Sequence, residues 1–134
     1  RGFAPIAWQI LEGRSSIIMC LIEAINAVDA GDVWLRHKLR IEEHDLLIDW
    51  RERQGLETVK MCLRFVERFW ALSGSPQKGK PSFYRRRSSQ DSELDTSRSL
   101  HDQFNLLRVV DNHRYPAFFH YRGKKYILEI EKDE

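Results

Sequence analysis

Apolar and polar positions follow different periods in successive parts of this chain, and the period predicts the element. "RGFAPIAWQILEG" predicts a short helix, because Pro5 suits a first helical turn and Gly13 suits the residue after a helix. "SSIIMCLIEA" has an unbroken apolar run over residues 17–22, which predicts a strand covered on both faces. "VWLRHKLRI" alternates, which predicts a half-buried strand near a sheet edge. Its apolar face consists of Val33, Leu35, Leu39 and Ile41.

The period becomes helical over about residues 43–72. Apolar residues there step by three and four, which predicts one stripe buried against the sheet. The stripe consists of Leu56, Val59, Leu63, Val66 and Trp70, widened by Met61, Cys62, Phe65 and Phe69.

The second half of the chain changes composition. "SGSPQKGKPS" is typical of a linker, and "FYRRRSSQDSELD" runs from basic to acidic. "DTSRSLHDQFNLLRVV" predicts a helix capped by Ser97 or Ser99. "PAFFHYRGKKYILEI" predicts a β-hairpin around Arg122-Gly123-Lys124. The predicted fold is therefore α/β, with units at residues 1–73, 74–98 and 99–134.

Composition narrows the function classes. The chain has 134 residues, 42% hydrophobic content and a formal net charge of +2, so no global polycationic signal points to nucleic acid. No apolar run is long enough for a membrane span, and Cys20 and Cys62 are expected to be reduced, buried thiols of a cytoplasmic protein. The chain starts at Arg1 without Met, and only two strands precede the long helix, so we expect a piece of a longer protein.

Asp29 lies in "AVDAGDVWLR", where a predicted strand ends and the chain reverses. Asp-Ala-Gly is a good turn sequence, and the local pattern alone favours a purely structural role. The functional interpretation is a carboxylate at a strand end, beside apolar walls, that orients a histidine or assists a proton transfer.

The linker carries a cluster of cations with two aromatic residues between them. This cluster is either a solvated loop or an anion clamp in which guanidinium groups hold phosphate oxygens. The acidic "QDSELD" that follows favours a diphosphate over an extended nucleic acid backbone. The five histidines lack metal-type spacing, so no metal site is predicted. The cluster consists of Lys78, Lys80, Arg85, Arg86 and Arg87, with Phe83 and Tyr84.

The order of five segments resembles the formyltransferase family that uses 10-formyltetrahydrofolate. These segments are "RGFAPIAWQILEG", the apolar strand, "AVDAGDVW", "FYRRRSSQDSELD" and "QFNLLRVVDNHRYPAFF". The resemblance covers about residues 1–130. It implies a partial Rossmann-like domain: the last strands and long helix of the catalytic domain in residues 1–73, then the linker, a helix and a hairpin.

The resemblance also implies functional residues. It makes Asp29 the catalytic aspartate of the family's D-x-G turn, with Val28 and Gly31 bordering the pterin pocket of 10-formyltetrahydrofolate. The family's Asn-x-His strand precedes the R-G-x-x-P segment, and this sequence has no such strand. The chain is therefore expected to need a missing N-terminal half, and to be inactive alone.

The substrate implied by the resemblance is a nucleotide-linked amino-deoxy sugar of surface glycan synthesis. The chain ends about fifteen residues after "YPAFF", and "FYRRRSSQDSELD" is more similar to the sugar enzymes. The hairpin, with Phe118, Phe119, Tyr126 and Ile127, is expected to form a homodimer. The alternatives are a methionyl-tRNA formyltransferase fragment and a non-catalytic binding or assembly module. The residues expected to contact the sugar nucleotide are Tyr84, Arg85, Arg87, Asn105, Arg108 and Tyr115.

Overall fold

The computed structural model describes residues 1–133, in which two small antiparallel sheets are joined by helices and a long ordered linker. The first half contains α1 (Pro5–Leu11), β1 (Ser16–Ile22), β2 (Val33–Arg40) and α2 (Leu47–Arg68). The second half contains α3 (Phe104–Leu107), β3 (Ala117–Tyr121) and β4 (Lys124–Leu128). Short 3₁₀ turns lie at Phe69–Ala71 and Ser89–Ser92. The predicted α/β class and element order are confirmed.

β1 and β2 pair from Ser16↔Arg40 to Ile22↔Val33, with a register shift after Leu21. The alternation predicted for β2 is confirmed, since Val33, Leu35 and Leu39 are all buried. One core cluster joins this sheet to α1 and to the start of α2. It consists of Ile6, Ala7, Ile10, Ile17, Leu39, Ile41, Trp50 and Val109.

β1 differs from its prediction. Ile18 is 55% exposed and Cys20 is exposed, so within residues 1–133 the expected coverage of both faces is wrong. Cys62, on α2, is exposed as well, and the expectation of two buried thiols is therefore wrong. Apolar surroundings in sequence do not bury a residue whose side chain points away from the only packed face.

α2 packs on β2 through only part of the predicted apolar surface. Trp50 and Met61 are buried, and the ring of Trp34 lies 5.5 Å from that of Phe65 and 5.7 Å from that of Phe69, between centroids. The prediction of burial is therefore confirmed for Met61, while the main stripe is exposed and its predicted burial is wrong. Its members Leu56, Val59, Leu63, Val66 and Trp70 are each more than half exposed.

The predicted third helix is only one turn long, and residues 95–103 form turns instead. The side chain of Gln103 donates to the carbonyls of Asp95 and Ser99, and Asp95 accepts from the amide of Ser97. Side chains that satisfy the backbone locally compete with helix formation, which explains the shortening. A second apolar cluster lies between α3 and the closing hairpin, and it consists of Leu94, Leu107, Val110 and Ala117.

The closing hairpin is confirmed, with Phe118 opposite Ile127 and Phe119 opposite Tyr126. Arg122 and Gly123 both have positive φ, 47° and 74°, as a tight two-residue hairpin turn requires. The expected exposed aromatic edge is wrong for Phe118, which is 5% exposed under the ammonium of Lys125. Among residues 1–133, no helix combines the length and the apolarity needed to cross a bilayer.

Candidate active-site turn

The turn between β1 and β2 places Asp29 at its tip. The amide of Glu23 donates to the carbonyl of Asp32 at 2.8 Å and closes the loop at its base. Asp29 has φ 55°, a left-handed conformation that aspartate tolerates better than most residues. Gly31 packs so closely that an added Cβ would lie 2.0 Å from the carbonyl oxygen of Glu23. The turn therefore requires glycine at position 31.

Gln77 in the linker holds this turn from the other side. Its Nε2 donates to the carbonyls of Asp29 at 2.8 Å and Gly31 at 2.7 Å, and its Oε1 accepts from the guanidinium of Arg1 at 2.6 Å. Ser75 pairs with Val33 through two backbone hydrogen bonds, which brings the linker back to the edge of β2. The linker is thus part of the site's framework.

The first residues of the chain form a third wall. The amide of Gly2 lies 3.4 Å from Oδ2 of Asp29 and points a donor at the carboxylate. Phe3 donates to the carbonyl of Tyr84 at 3.1 Å, and Tyr84 donates to the carbonyl of Arg1 at 2.9 Å. Gly2 has φ 96°, and a Cβ there would lie 2.4 Å from the oxygen of Tyr84. Tyr84, predicted as a substrate contact, therefore lies next to the Asp29 turn.

The surroundings of Asp29 combine charge with exposed apolar surface. The carboxylate is half-exposed, while Val28 is 83% exposed and Ile25 is 50% exposed. A carboxylate in this position can orient an imidazole, and the neighbouring aliphatic side chains offer a flat apolar surface. Gly31, predicted to border a cofactor, is buried, and its carbonyl is already bonded to Gln77.

Arg85 and Tyr84 belong to a cluster around Trp8. The guanidinium of Arg85 lies 4.7 Å from the Trp8 ring centroid and forms an ion pair with Asp91, which holds the pKa of Asp91 well below its usual range. Tyr84 stacks on Trp8 at 6.3 Å, and its hydroxyl donates to Glu12 at 2.8 Å. The cation predicted to bind a phosphate thus already has a carboxylate partner.

Arg87 and Arg108 are joined to backbone carbonyls. Arg87 donates to the carbonyl of Val109 at 2.7 Å, and burial lowers its pKa. Arg108 is 6% exposed and donates to the carbonyl of Glu42 at 2.6 Å and to Oδ1 of Asn105 at 2.8 Å.

Tyr115 is 41% exposed and pairs through its backbone with Asp111. The structure brings Tyr84 next to the Asp29 turn and Asn105 together with Arg108. Among residues 1–133, no hydrogen bond joins Tyr84 or Asp29 to Asn105 or Arg108. The assigned roles of these residues stay predictions.

Sequence analysis missed Gln77 and Gly2. The only signal for Gln77 is that it is the one side-chain amide in "SGSPQKGKPS". No three of the His, Cys, Asp and Glu side chains in residues 1–133 come together as a metal-binding group.

Replacing Gln77 with alanine is expected to loosen the turn without unfolding the chain. Two carbonyls lose their donor, and hydrogen bonds of this kind contribute about 1 kcal/mol each, so amide hydrogen exchange over residues 27–32 is expected to rise about tenfold or more. Hydrogen exchange with mass spectrometry measures this. Gln90→Ala is the matched control, because the side chain of Gln90 is exposed and accepts from its neighbour Ser89. Equal exchange in both variants would contradict the role assigned to Gln77.

Comparisons with known proteins place these features in context. No family model matches the chain. A methionyl-tRNA formyltransferase from Sulfurihydrogenibium sp. is 27% identical over 113 residues, 82% of this chain and 36% of the relative. Another from Malacoplasma penetrans is 30% identical over 111 residues, 81% of this chain and 35% of the relative. The chain therefore spans about a third of the length of these curated relatives.

Solved structures agree on the fold. A 4-N formyltransferase from Francisella tularensis superposes with a TM-score of 0.81 at 13% identity, over 100% of this chain and 58% of that chain. A sugar N-formyltransferase from Shewanella sp. gives 0.77 at 16%, over 100% and 57%. HypX from Aquifex aeolicus in complex with tetrahydrofolic acid gives 0.74 at 19%, over 97% and 23%.

Proposed function

We propose that this chain, whose sequence relatives and structural neighbours are formyltransferases and which matches a C-terminal part of that family, supplies the Asp29 turn to a formyl-transfer site. The observation that carries the proposal is the Asp-Ala-Gly turn, closed at its base, held by Gln77 and facing the amide of Gly2. The closed turn, Gln77 and the amide of Gly2 together fix the position of the carboxylate, as a catalytic group requires.

The reaction is transfer of a formyl group from 10-formyltetrahydrofolate to an amine. The neutral amine attacks the formyl carbon and gives up a proton, the bond from that carbon to the folate nitrogen breaks, and that nitrogen takes a proton. Asp29 would orient and charge-stabilise a histidine supplied from outside this chain. Donors near the developing oxyanion would lower the barrier further.

The residues around the turn suit a folate. Val28 and Ile25 expose aliphatic surface beside the carboxylate, which fits the face of a pterin ring. The bound tetrahydrofolic acid in HypX supports a folate-type substrate for proteins of this fold. The exposed thiols Cys20 and Cys62 fit a reducing compartment, and we propose the cytoplasm.

The proposed acceptor is a nucleotide-linked amino-deoxy sugar. The net charge of +2 and the ion pair between Arg85 and Asp91 leave little continuous positive surface for a long polyanion. Lys78 and Lys80, which follow Gln77 in the sequence, and Arg86 are exposed cations that suit a compact diphosphate. Methionyl-tRNA is the second candidate, because both curated relatives at 27% and 30% identity carry that name.

We further propose that turnover needs an N-terminal half that completes the sheet. In residues 1–133, β1 pairs on one edge only, with β2, and an open edge of this kind accepts another strand. No Asn-x-His sequence occurs in the chain to supply the histidine that Asp29 would orient.

Formyl-transfer assays test the proposal. The 134-residue chain and the natural protein that contains it are each incubated with 10-formyltetrahydrofolate and either dTDP-, UDP- or GDP-linked 4-amino-4,6-dideoxy sugars or initiator methionyl-tRNA. We expect the natural protein to transfer the formyl group to a sugar and the 134-residue chain to transfer none. Transfer only to tRNA, weakened steeply by salt, would favour the second candidate. No transfer to either acceptor would leave a binding or assembly module.

A further inference from the structure

Two side chains, those of Arg1 and Gln77, form a series of hydrogen bonds that ends on the backbone of the Asp29 turn. The guanidinium of Arg1 donates to Oε1 of Gln77 at 2.6 Å. Nε2 of Gln77 donates to the carbonyls of Asp29 at 2.8 Å and Gly31 at 2.7 Å. Arg1 lies 76 positions from Gln77 in sequence, and Asp29 lies 48 positions from it. The turn is therefore held by groups that only the tertiary fold brings to it.

The donors and acceptors of these groups allow only one orientation of the Gln77 amide. A guanidinium has donors and no acceptor, so Arg1 can bond to the oxygen of the amide and not to its nitrogen. The carbonyls of Asp29 and Gly31 are acceptors, so they require the nitrogen. Both hydrogens of that nitrogen are then used, one for each carbonyl. Arg1 thus selects the orientation in which Gln77 can hold the turn.

The backbone that Gln77 holds has a conformation that needs support. Asp29 has φ 55°, and a non-glycine residue persists in the left-handed region where its surroundings fix it. The carbonyls of Asp29 and Gly31 converge on one nitrogen, and without that donor both would lose their partner. The carbonyl carbon and the side chain of Asp29 share one Cα, so a rotation that releases the carbonyl also moves the carboxylate. The position of the carboxylate therefore depends on Gln77.

Arg1 acts on Asp29 through a neutral amide and not through an ion pair. In residues 1–133 the guanidinium of Arg1 bonds to Gln77, while the carboxylate of Asp29 accepts from the backbone amide of Gly2. A direct ion pair would occupy the carboxylate, as Arg85 occupies that of Asp91. The observed arrangement fixes the turn and leaves the charge of Asp29 available to an imidazole.

We propose that Arg1 and Gln77 are positioning residues for formyl transfer, which set the direction of the Asp29 carboxylate and do not touch the substrate themselves. This inference rests on the catalytic role proposed for Asp29. It adds two residues whose effect on the reaction passes through that one carboxylate.

A double-mutant cycle in the natural protein that contains this chain tests the inference. Gln77→Ala is expected to lower kcat for formyl transfer about 10- to 100-fold, because small displacements of a catalytic group are costly. In an Asp29→Asn background the same substitution is expected to lower kcat by less than about twofold, since the carboxylate through which Gln77 acts is already absent. Gln90→Ala is the control and is expected to leave kcat unchanged.

Substitutions of Arg1 test whether its donor matters. Arg1→Ala is expected to lower kcat about three- to tenfold, less than Gln77→Ala, because Gln77 loses its guide but keeps both carbonyls. Arg1→Lys still offers a donor to Oε1 and is expected to restore kcat to within about twofold of wild type. Arg51→Ala, which removes an exposed arginine paired with Asp111, is the matched control and is expected to have no effect on kcat. Thermal melting checks that each variant is folded.

Amide hydrogen exchange over residues 27–32 of the natural protein gives a second readout that needs no substrate. Arg1→Ala is expected to raise exchange there, and adding it to Gln77→Ala is expected to raise exchange no further, because Arg1 acts through Gln77. Exchange in Arg1→Ala equal to that of wild type would overturn the inference.

The kinetic outcomes separate this inference from the proposed function. A lowered kcat in Asp29→Asn beside an unchanged kcat in Gln77→Ala would overturn the inference and leave the proposed function standing. Equal losses from Gln77→Ala with and without the Asp29 carboxylate would do the same, since Gln77 would then act elsewhere. An unchanged kcat in Asp29→Asn would overturn the proposed function and this inference with it.

Discussion

Gly31→Ala is expected to destabilise the folded chain by about 3 kcal/mol, or to prevent folding, because the new methyl group would overlap the backbone of Glu23, the residue after β1. The added Cβ would lie 2.0 Å from the carbonyl oxygen of Glu23 and 2.8 Å from its carbonyl carbon. Neither atom belongs to a flexible side chain, so the turn itself would have to open. Urea denaturation followed by circular dichroism measures the change in the free energy of unfolding.

Gly55→Ala is the matched control for that substitution. Gly55 lies inside α2 and an added Cβ meets no heavy atom within 4 Å, so alanine is expected to stabilise the chain by about 0.5–1 kcal/mol. Gly31→Ala is expected to lower the free energy of unfolding, and Gly55→Ala is expected to raise it. Equal, small effects would contradict the close packing of Gly31 against the backbone of Glu23.

Asp45→Ala is expected to destabilise the chain by about 2–3 kcal/mol, since it removes a buried carboxylate that accepts hydrogen bonds from half-exposed Arg53 and from a backbone amide. Asp45 is 1% exposed, forms an ion pair with Arg53 and accepts from the amide of Glu42 at 2.7 Å. Its carbonyl accepts from Arg108 at 3.2 Å. The substitution leaves Arg53 and the Glu42 amide without the carboxylate, and urea denaturation measures the loss. Glu43→Ala, an exposed acid in the same loop, is the control and is expected to change little.

The same residue predicts an acid dependence. Burial alone would raise the pKa of Asp45, but hydrogen bonds from Arg53 and the Glu42 amide outweigh burial and lower it. A carboxyl group with a lowered folded pKa stabilises the fold above its unfolded pKa, and this stability is lost as pH falls through the folded value. Wild type is therefore expected to lose stability on acidification from about pH 5 downwards, and Asp45→Asn to lose less. Parallel loss in both proteins would show that other carboxyl groups dominate.

The sequence predicted well those elements whose residue pattern is compatible with only one local structure. The alternation in β2 allows one buried face, and Arg122-Gly123 allows one tight hairpin turn. α2 is different, because apolar residues line two opposite sides of the helix. The pattern predicts burial of one wide stripe that includes Met61, whereas only Trp50 and Met61 are buried on α2 and the side with Leu56, Val59 and Leu63 is exposed.

The site was predictable only where it is local. The Asp29 turn follows from its own residues, and the resemblance to formyltransferases assigned its role. Gln77 bonds to Asp29 across 48 positions of sequence, and nothing in a linker of Ser, Pro, Gly and Lys marks so distant a contact. The commitment of Arg87 and Arg108 to backbone carbonyls likewise depends on tertiary packing, which charge patterns do not encode.

The most direct test of the central claim, that Asp29 serves formyl transfer, is the rate of formyl transfer from 10-formyltetrahydrofolate by the natural protein with Asp29→Asn. Asparagine tolerates the φ of 55° and can still accept from Gly2, so the substitution removes charge and leaves the turn in place. The account predicts a kcat about 10²–10⁴-fold lower, with an unchanged melting temperature. An unchanged rate would contradict it and would make Asp29 the corner of a structural turn.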